Sequence, residues 1–223
     1  MSRPTNFFAP EEWYHCYSRG IDNRVVFEST SDYQRFISLL YLANTSTVLH
    51  RSNLGNLSYH ELFTIPRKET LVSIGAYALM PNHFHLLLYE KNASGISTFM
   101  QKLGTAYTMY FNVKRERSGG LFTKPFRARH ISDDRYLQHI IDYIHLNSLK
   151  LFENGHKRNN KMEDKHYFMT KLKSYPFSSF PDFNGTSRPA KVVLGNKIFN
   201  LYQQKTASQM IENSFAYAGT FSD

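Results

Sequence analysis

The segment Leu71-Val-Ser-Ile-Gly-Ala-Tyr-Ala-Leu-Met80, then Pro81-Asn82, then His83-Phe-His-Leu-Leu-Leu-Tyr89 decides the architecture. Two apolar runs flank a turn-forming dipeptide, so the stretch reads as two antiparallel strands tightly joined. Upstream, the aromatic run Trp13-Tyr-His-Cys-Tyr17 ends at Arg19-Gly20 and reads as a strand followed by a turn. Between them, Tyr33, Phe36, Ile37, Leu40 and Tyr41 recur at helical spacing, with Thr30 or Ser31 available as the cap. Residues 44–70 are polar and read as an insertion. Downstream, Phe99, Leu103, Tyr107 and Phe111 mark one stripe of a helix over 96–114, ended by Gly119-Gly120. Ala128-Arg-His-Ile131 reads as a short strand, and Asp133 or Asp134 caps a final helix over about 135–150. The order strand, helix, strand, strand, helix, strand, helix lacks parallel α/β alternation. It predicts an α+β domain, an antiparallel sheet with helices packed on one face, over residues 1–150. Residues 151–223 turn polar and basic and read as an appendage.

Composition narrows the class. The chain has 223 residues, 27 Lys and Arg against 18 Asp and Glu, and a single cysteine, Cys16. One cysteine excludes a disulfide framework and suits a reducing compartment. No apolar run approaches the ~20 residues of a membrane span, and the N-terminal stretch lacks a signal-peptide core. A cytoplasmic protein with no membrane partner is expected, and the basic excess points to a polyanion.

The chemistry concentrates in two places. His83 and His85 are two apart on a strand, so both imidazoles leave the same face and can converge on a divalent metal. In the last helix Leu137, Ile140, Ile141 and Ile144 form the buried stripe, and Tyr143 and Asn147 lie together at its edge, one turn apart. An amide oxygen beside a phenol suits a metal-assisted tyrosine nucleophile. Tyr136 shares that side, but Ile140 follows it where a ligand is needed, so it ranks second. His145 falls on the far side of the helix, and His139 could meet a substrate phosphate. His15, His50, His60, His130, His156 and His166 lack a partner spacing and read as surface or packing residues.

Tyr77-Ala-Leu-Met-Pro-Asn-His-Phe-His-Leu-Leu-Leu88, followed by Asp142-Tyr-Ile-His-Leu-Asn147, resembles the single-tyrosine HUH transposases. The likeness covers about Trp13 to Lys150 and includes Leu121-Phe and Phe126-Arg-Ala-Arg129. Asn four residues after the tyrosine resembles the REP-associated branch, where the compact insertion-sequence branch usually has Gln. Relatives commonly continue Asn-Pro-Val-Arg, whereas this chain reads Asn147-Ser148-Leu149-Lys150. Serine permits another helical turn where proline would end it.

The resemblance implies a ferredoxin-like HUH endonuclease fold. It further implies a site in which His83, His85 and Asn147 hold Mg²⁺ or Mn²⁺ while Tyr143 attacks a phosphodiester and forms a 5′-phosphotyrosine. Tyrosine starts with a pKa near ~10, so the metal or a cation such as Lys150 must favour the phenolate. The partner implied is single-stranded DNA with hairpin structure, handled by a monomer or a homodimer. Lys102, Lys114, Arg115, Arg117, Lys124, Arg127 and Arg129 face only Glu116 within residues 101–130. With Lys150 they are the expected DNA-binding cations. A second basic run spans 150–174. Phe122, Phe126 and Tyr136 are base-stacking candidates or core. The reading from a different class is a binding protein of the same fold that recognises structured single strands without cutting them. A nickase and a small-molecule hydrolase rank lower.

Overall fold

The structure, a computed structural model, describes residues 8–47, 57–153, 161–203, 205 and 208–211. In chain order the main elements are β1 (Trp13–Arg19), α1 (Thr30–Leu42), β2 (Val72–Met80), β3 (His83–Glu90), α2 (Gly95–Lys114), β4 (Arg127–Ile131) and α3 (Asp134–Leu146). The strands pair antiparallel in the order β2-β3-β1-β4. With helices after the first and third strands, that order is ferredoxin-like.

Strand pleating then divides the sheet into two working faces. Phe84 points to the face covered by α1 and α2, where its ring lies 4.9 Å from Phe36 and 5.3 Å from Phe122. The helical stripe Phe99, Leu103, Tyr107 and Phe111 is buried there, and the Tyr107 hydroxyl donates to the Val26 carbonyl at 2.6 Å. His83 and His85, one residue either side of Phe84, emerge on the opposite face. There α3 lies across β2 and β3 and meets β4. The sheet is thus the middle of three layers: α1 and α2 keep to one face as the sequence indicates, and α3 supplies the other cover.

Carboxylates, two of them buried, fix where the helices begin. Asp32 accepts from the backbone N–H groups of Glu28 and Ser29 at the start of α1, each at 3.0 Å. Glu90, at the end of β3, accepts from the N–H groups of Gly95 and Ile96 at 2.7 Å each and so caps α2. Asp133 accepts from Tyr136 N–H at 2.9 Å and starts α3. Gly75 sits at an irregularity in β2 where a Cβ would lie 2.7 Å from the Trp13 ring, so no larger residue fits without displacing that indole.

The expected single helix to Lys150 is interrupted. After Leu146 the backbone tightens into a 3₁₀ turn at Asn147–Leu149 and resumes as α4 (Lys150–Glu153). Asn147 Nδ2 donates to the Tyr143 carbonyl at 2.9 Å and Ser148 Oγ to the His145 carbonyl at 3.0 Å. Both side chains bond back to carbonyls of the preceding turn, and the Tyr143 carbonyl accepts the Asn147 N–H as well. Further on come α5 (Lys161–Ser174), α6 (Phe180–Phe183) and α7 (Asn196–Leu201). Residues 177–179 close the outer edge of β2: Leu79 N–H donates to the Phe177 carbonyl and Ser179 N–H to the Tyr77 carbonyl. Phe183, Val193, Ile198 and Tyr202 join the core of the sheet layers. Within the second basic run, Lys157 and Arg158 lie outside the described residues. Among the described residues no helix is long and apolar enough to cross a membrane.

Candidate active site

The face under α3 gathers aromatic and imidazole rings from three elements. The Tyr143 ring stands edge-on to His85 at 5.7 Å and to His15 at 5.8 Å between centroids. His83 and His85 are 5.1 Å apart and nearly perpendicular. Tyr17, paired across the strands with His85, stacks on it at 5.6 Å. Lys150 places its ammonium 6.0 Å from the Tyr143 ring centre. The helix brings Tyr143 here because its neighbours Ile140, Ile141 and Ile144 are wholly buried, which leaves Tyr143 at the edge of the apolar stripe.

Hydrogen bonds orient the prospective ligands. His83 Nδ1 lies 2.6 Å from Asn82 Oδ1. A carbonyl oxygen only accepts, so His83 carries its proton on Nδ1 and keeps the Nε2 lone pair. His85 Nδ1 lies 2.9 Å from His15 Nε2. The amide of Asn147 is turned by its bond to the Tyr143 carbonyl. His85 Nε2 and Asn147 Oδ1 are both buried and have no hydrogen-bond partner among the described residues. Burial first, then the charges of His15, His83, Lys150 and Arg19, push His85 well below the ordinary imidazole range. A neutral imidazole and a neutral amide oxygen, both buried and unsatisfied, suit a cation better than they suit an apolar core. His83, 5.1 Å from His85 between ring centroids, offers a further imidazole nitrogen on the same face. Among the described residues no group of three or more His, Cys, Asp or Glu side chains could hold a metal ion.

Tyr136 differs from Tyr143. Its hydroxyl is buried with no hydrogen-bond partner among the described residues, and Arg129 lies 5.4 Å above its ring. Burial raises its pKa, Arg129 lowers it and Tyr17 raises it, with burial prevailing. That environment opposes a phenolate. His145 lies away from the site, as helical geometry requires. It is fully buried, bonded to Ser179 Oγ at 2.8 Å, and burial drives its pKa down to about 3.

The expected DNA-binding cations do not form one surface. Lys102 Nζ donates to the carbonyls of Thr45 and Thr47 at 2.6 and 3.1 Å. Lys114 is 2.6 Å from buried Asp32, Arg115 is 2.6 Å from Glu28, and Arg117 donates to Asn112 Oδ1 at 2.6 Å. These four belong to α2 and the turn beyond it, on the far side of the sheet. Lys124 lines a cleft of about 540 Å³ on that same side, with Gln101, Thr105 and Phe126. Arg127 and Arg129 lie exposed on β4, paired with Tyr17 and His15, and Lys150 stands over Tyr143. Arg19 pairs with His83. Phe122, read as a base-stacking platform or core, is core, packed on Phe36 and Phe84.

His15, read as a surface or packing residue, is a packing residue buried against His85 and Tyr143, a neighbourhood its lack of partner spacing did not reveal. Tyr17 and Arg19 were also missed. All three share the parity of β1 that faces α3, but that parity becomes visible only once the β1–β3 register is known.

Residues 46–147 match the family described as "Transposase IS200 like". The match makes this segment similar to the IS200-like transposases. The matched segment runs from the insertion through α3 and ends at Asn147, so it includes His83, His85, Tyr143 and Asn147. His15, Tyr17 and Arg19 on β1 and Lys150 on α4 lie outside it. The chain is also similar to the solved structure of a REP-associated tyrosine transposase bound to a REP hairpin, at 12% identity over 89% of this chain and 93% of that one, with a TM-score of 0.48. Among curated proteins no sequence matches.

Proposed function

We propose that this protein cleaves and rejoins single-stranded DNA at or near hairpins, with Tyr143 as nucleophile and His83, His85 and Asn147 as ligands for Mg²⁺ or Mn²⁺. The observation that carries this reading is the Tyr143 ring standing edge-on to His85, whose buried Nε2 has no hydrogen-bond partner among the described residues. A bound divalent ion would supply Lewis-acid polarisation of the scissile phosphate and a fixed template for it. Tyr143 Oη attacks phosphorus, the new Oη–P bond replaces the P–O3′ bond, and the phenolic proton is given up as the 3′-oxygen leaves as a hydroxyl. Lys150, with its ammonium 6.0 Å from the ring centre, can offset negative charge at the scissile phosphate. Arg127, Arg129 and Arg19 border the same face and can hold flanking phosphates. The phosphotyrosine ester conserves the bond, so a 3′-hydroxyl attacking it restores a phosphodiester, to the same strand or another. That exchange is the chemistry a transposase requires.

The test is incubation with labelled hairpin-bearing single-stranded DNA and Mn²⁺, followed by denaturing electrophoresis. A covalent adduct in the wild type and none in Tyr143→Phe is the expected result. An adduct that persists in Tyr143→Phe would transfer the role to Tyr136. DNA retained without an adduct identifies the non-cutting binding protein, and free phosphate ends without an adduct identify a hydrolase.

A further inference from the structure

His15 has no part in the proposed reaction, yet its ring makes a direct polar contact with the His85 ring. In register His15 faces Leu87 and Tyr17 faces His85, so the His15 side chain lies diagonally beside His85 on the sheet face under α3. Their rings are 5.1 Å apart and within 22° of parallel. His15 Nε2 and His85 Nδ1 are 2.9 Å apart, with His15 5% and His85 1% exposed.

Two neutral imidazoles can place only one proton in that contact, so one ring donates and the other accepts. If His15 donated, His85 would hold its own proton on Nε2, a buried N–H with no acceptor among the described residues. If His85 donates, its Nε2 carries a lone pair instead, which is the form a cation takes. A ligating histidine ordinarily gives its second N–H to a fixed acceptor, which sets both tautomer and ring orientation. His83 has such an acceptor in Asn82 Oδ1, supplied by the β2–β3 turn. His85, one pleat further into the sheet, is beyond the reach of that turn, and β1 supplies the equivalent atom.

We propose that His15 is the positioning residue for His85: its Nε2 accepts the His85 Nδ1 proton and so keeps the His85 Nε2 lone pair available to a divalent cation. The inference rests on the metal use proposed above and adds to it a residue on β1, outside the segment that matches the family.

Three measurements on the full chain test it. In metal-free wild type, long-range ¹⁵N–¹H correlation spectra should show His85 as the Nδ1–H tautomer. Mn²⁺ titrations without DNA, read by the loss of the free-ion electron paramagnetic resonance signal, should show weakening of about 10–100-fold in His15→Leu. His15→Gln should regain most of that affinity, because its Oε1 can accept where Nε2 did. An Nε2–H tautomer in the wild type overturns the proposal. So does unchanged Mn²⁺ affinity in His15→Leu, or a His15→Gln as weak as His15→Leu. Should His15→Leu fail to fold, the wild-type spectra and the glutamine variant still decide. Wild type that binds Mn²⁺ but forms no Tyr143 adduct overturns the cleavage reading and leaves the role of His15 standing. Wild type that binds no Mn²⁺ overturns the positioning role.

Discussion

Replacing Arg188 with methionine probes how the chain beyond α5 holds the site. Arg188 gives a two-pronged contact to Asp182, Nε to Oδ1 at 2.7 Å and Nη2 to Oδ2 at 2.6 Å. It also donates to the Pro176 carbonyl at 2.6 Å and to Tyr77 Oη at 3.0 Å. The Asp182 side chain is 0% exposed and that of Arg188 17%. Methionine retains much of the bulk but strands a buried carboxylate, a loss that costs about 3–5 kcal/mol. With a urea slope of roughly 2–3 kcal/mol/M, the midpoint falls by about 1–2 M. The single tryptophan, Trp13, packs 5.2 Å from Tyr89 and reports the transition by fluorescence. Adding Asp182→Asn removes the stranded charge and should recover at least about 1–2 kcal/mol, the size of coupling seen between contacting groups. A single variant that costs under about 1 kcal/mol, or a double variant no more stable than the single, would refute the account of a compensated buried charge. The site should feel the change, because residues 177–179 pair with β2 and Ser179 holds His145 on α3.

Tyr143→Phe should abolish the covalent DNA adduct while leaving Mn²⁺ affinity within about twofold, since the phenol is not among the proposed ligands; electrophoresis and metal titration read the two separately. Arg127→Ala with Arg129→Ala should weaken single-stranded DNA binding and flatten its log–log salt dependence by about 0.7 per lost phosphate contact. Lys114→Ala with Arg115→Ala should leave that slope unchanged and lower the denaturation midpoint, and a reversed pattern would move the DNA path to the α2 side. Asp32→Asn should destabilise the protein near neutral pH by about 1–2 kcal/mol through weaker bonds from Lys114 and Tyr110. Burial alone would raise the Asp32 pKa, but the bonds from Lys114 and Tyr110 outweigh it and hold the carboxyl below its ordinary value. Its contribution is therefore present above the unfolded pKa and lost as pH falls through the folded one. Urea curves for wild type and Asp32→Asn should accordingly converge in acid, and a gap that widens there would contradict the assignment.

Much of the fold could be read from local pattern. Period-two runs around Pro81-Asn82 and helical stripes such as Phe99 to Phe111 report burial directly, because each residue's neighbours in sequence share its environment. The parity of His83 and His85, and the edge position of Tyr143 and Asn147, are likewise local facts. What escaped is long-range. His15 meets His85 only through the β1–β3 pairing, 70 positions apart in sequence. Glu90, which caps α2 from the end of a strand, resembles an ordinary polar terminus until the chain folds back over it. Charge was the least reliable guide. Lys102 and Lys114 stand near Arg127 and Arg129 in sequence, yet the sheet separates them, and their partners are the distant Thr45 and Thr47 carbonyls and Asp32.

One sheet serving two faces also restricts how this chain can change in length. Phe84 is locked among Phe36 and Phe122 while its neighbours His83 and His85 serve the other side. Deleting or inserting one residue within β3 would exchange these roles at a stroke, sending imidazoles into the aromatic layer and a phenylalanine to the face under α3. The same holds for β1, where Cys16 lies between His15 and Tyr17. Compensation by a second change on the same strand would have to restore parity, so length drift there is nearly forbidden. Variation in length should therefore collect in the polar stretch between α1 and β2, and the strands should diverge by substitution alone.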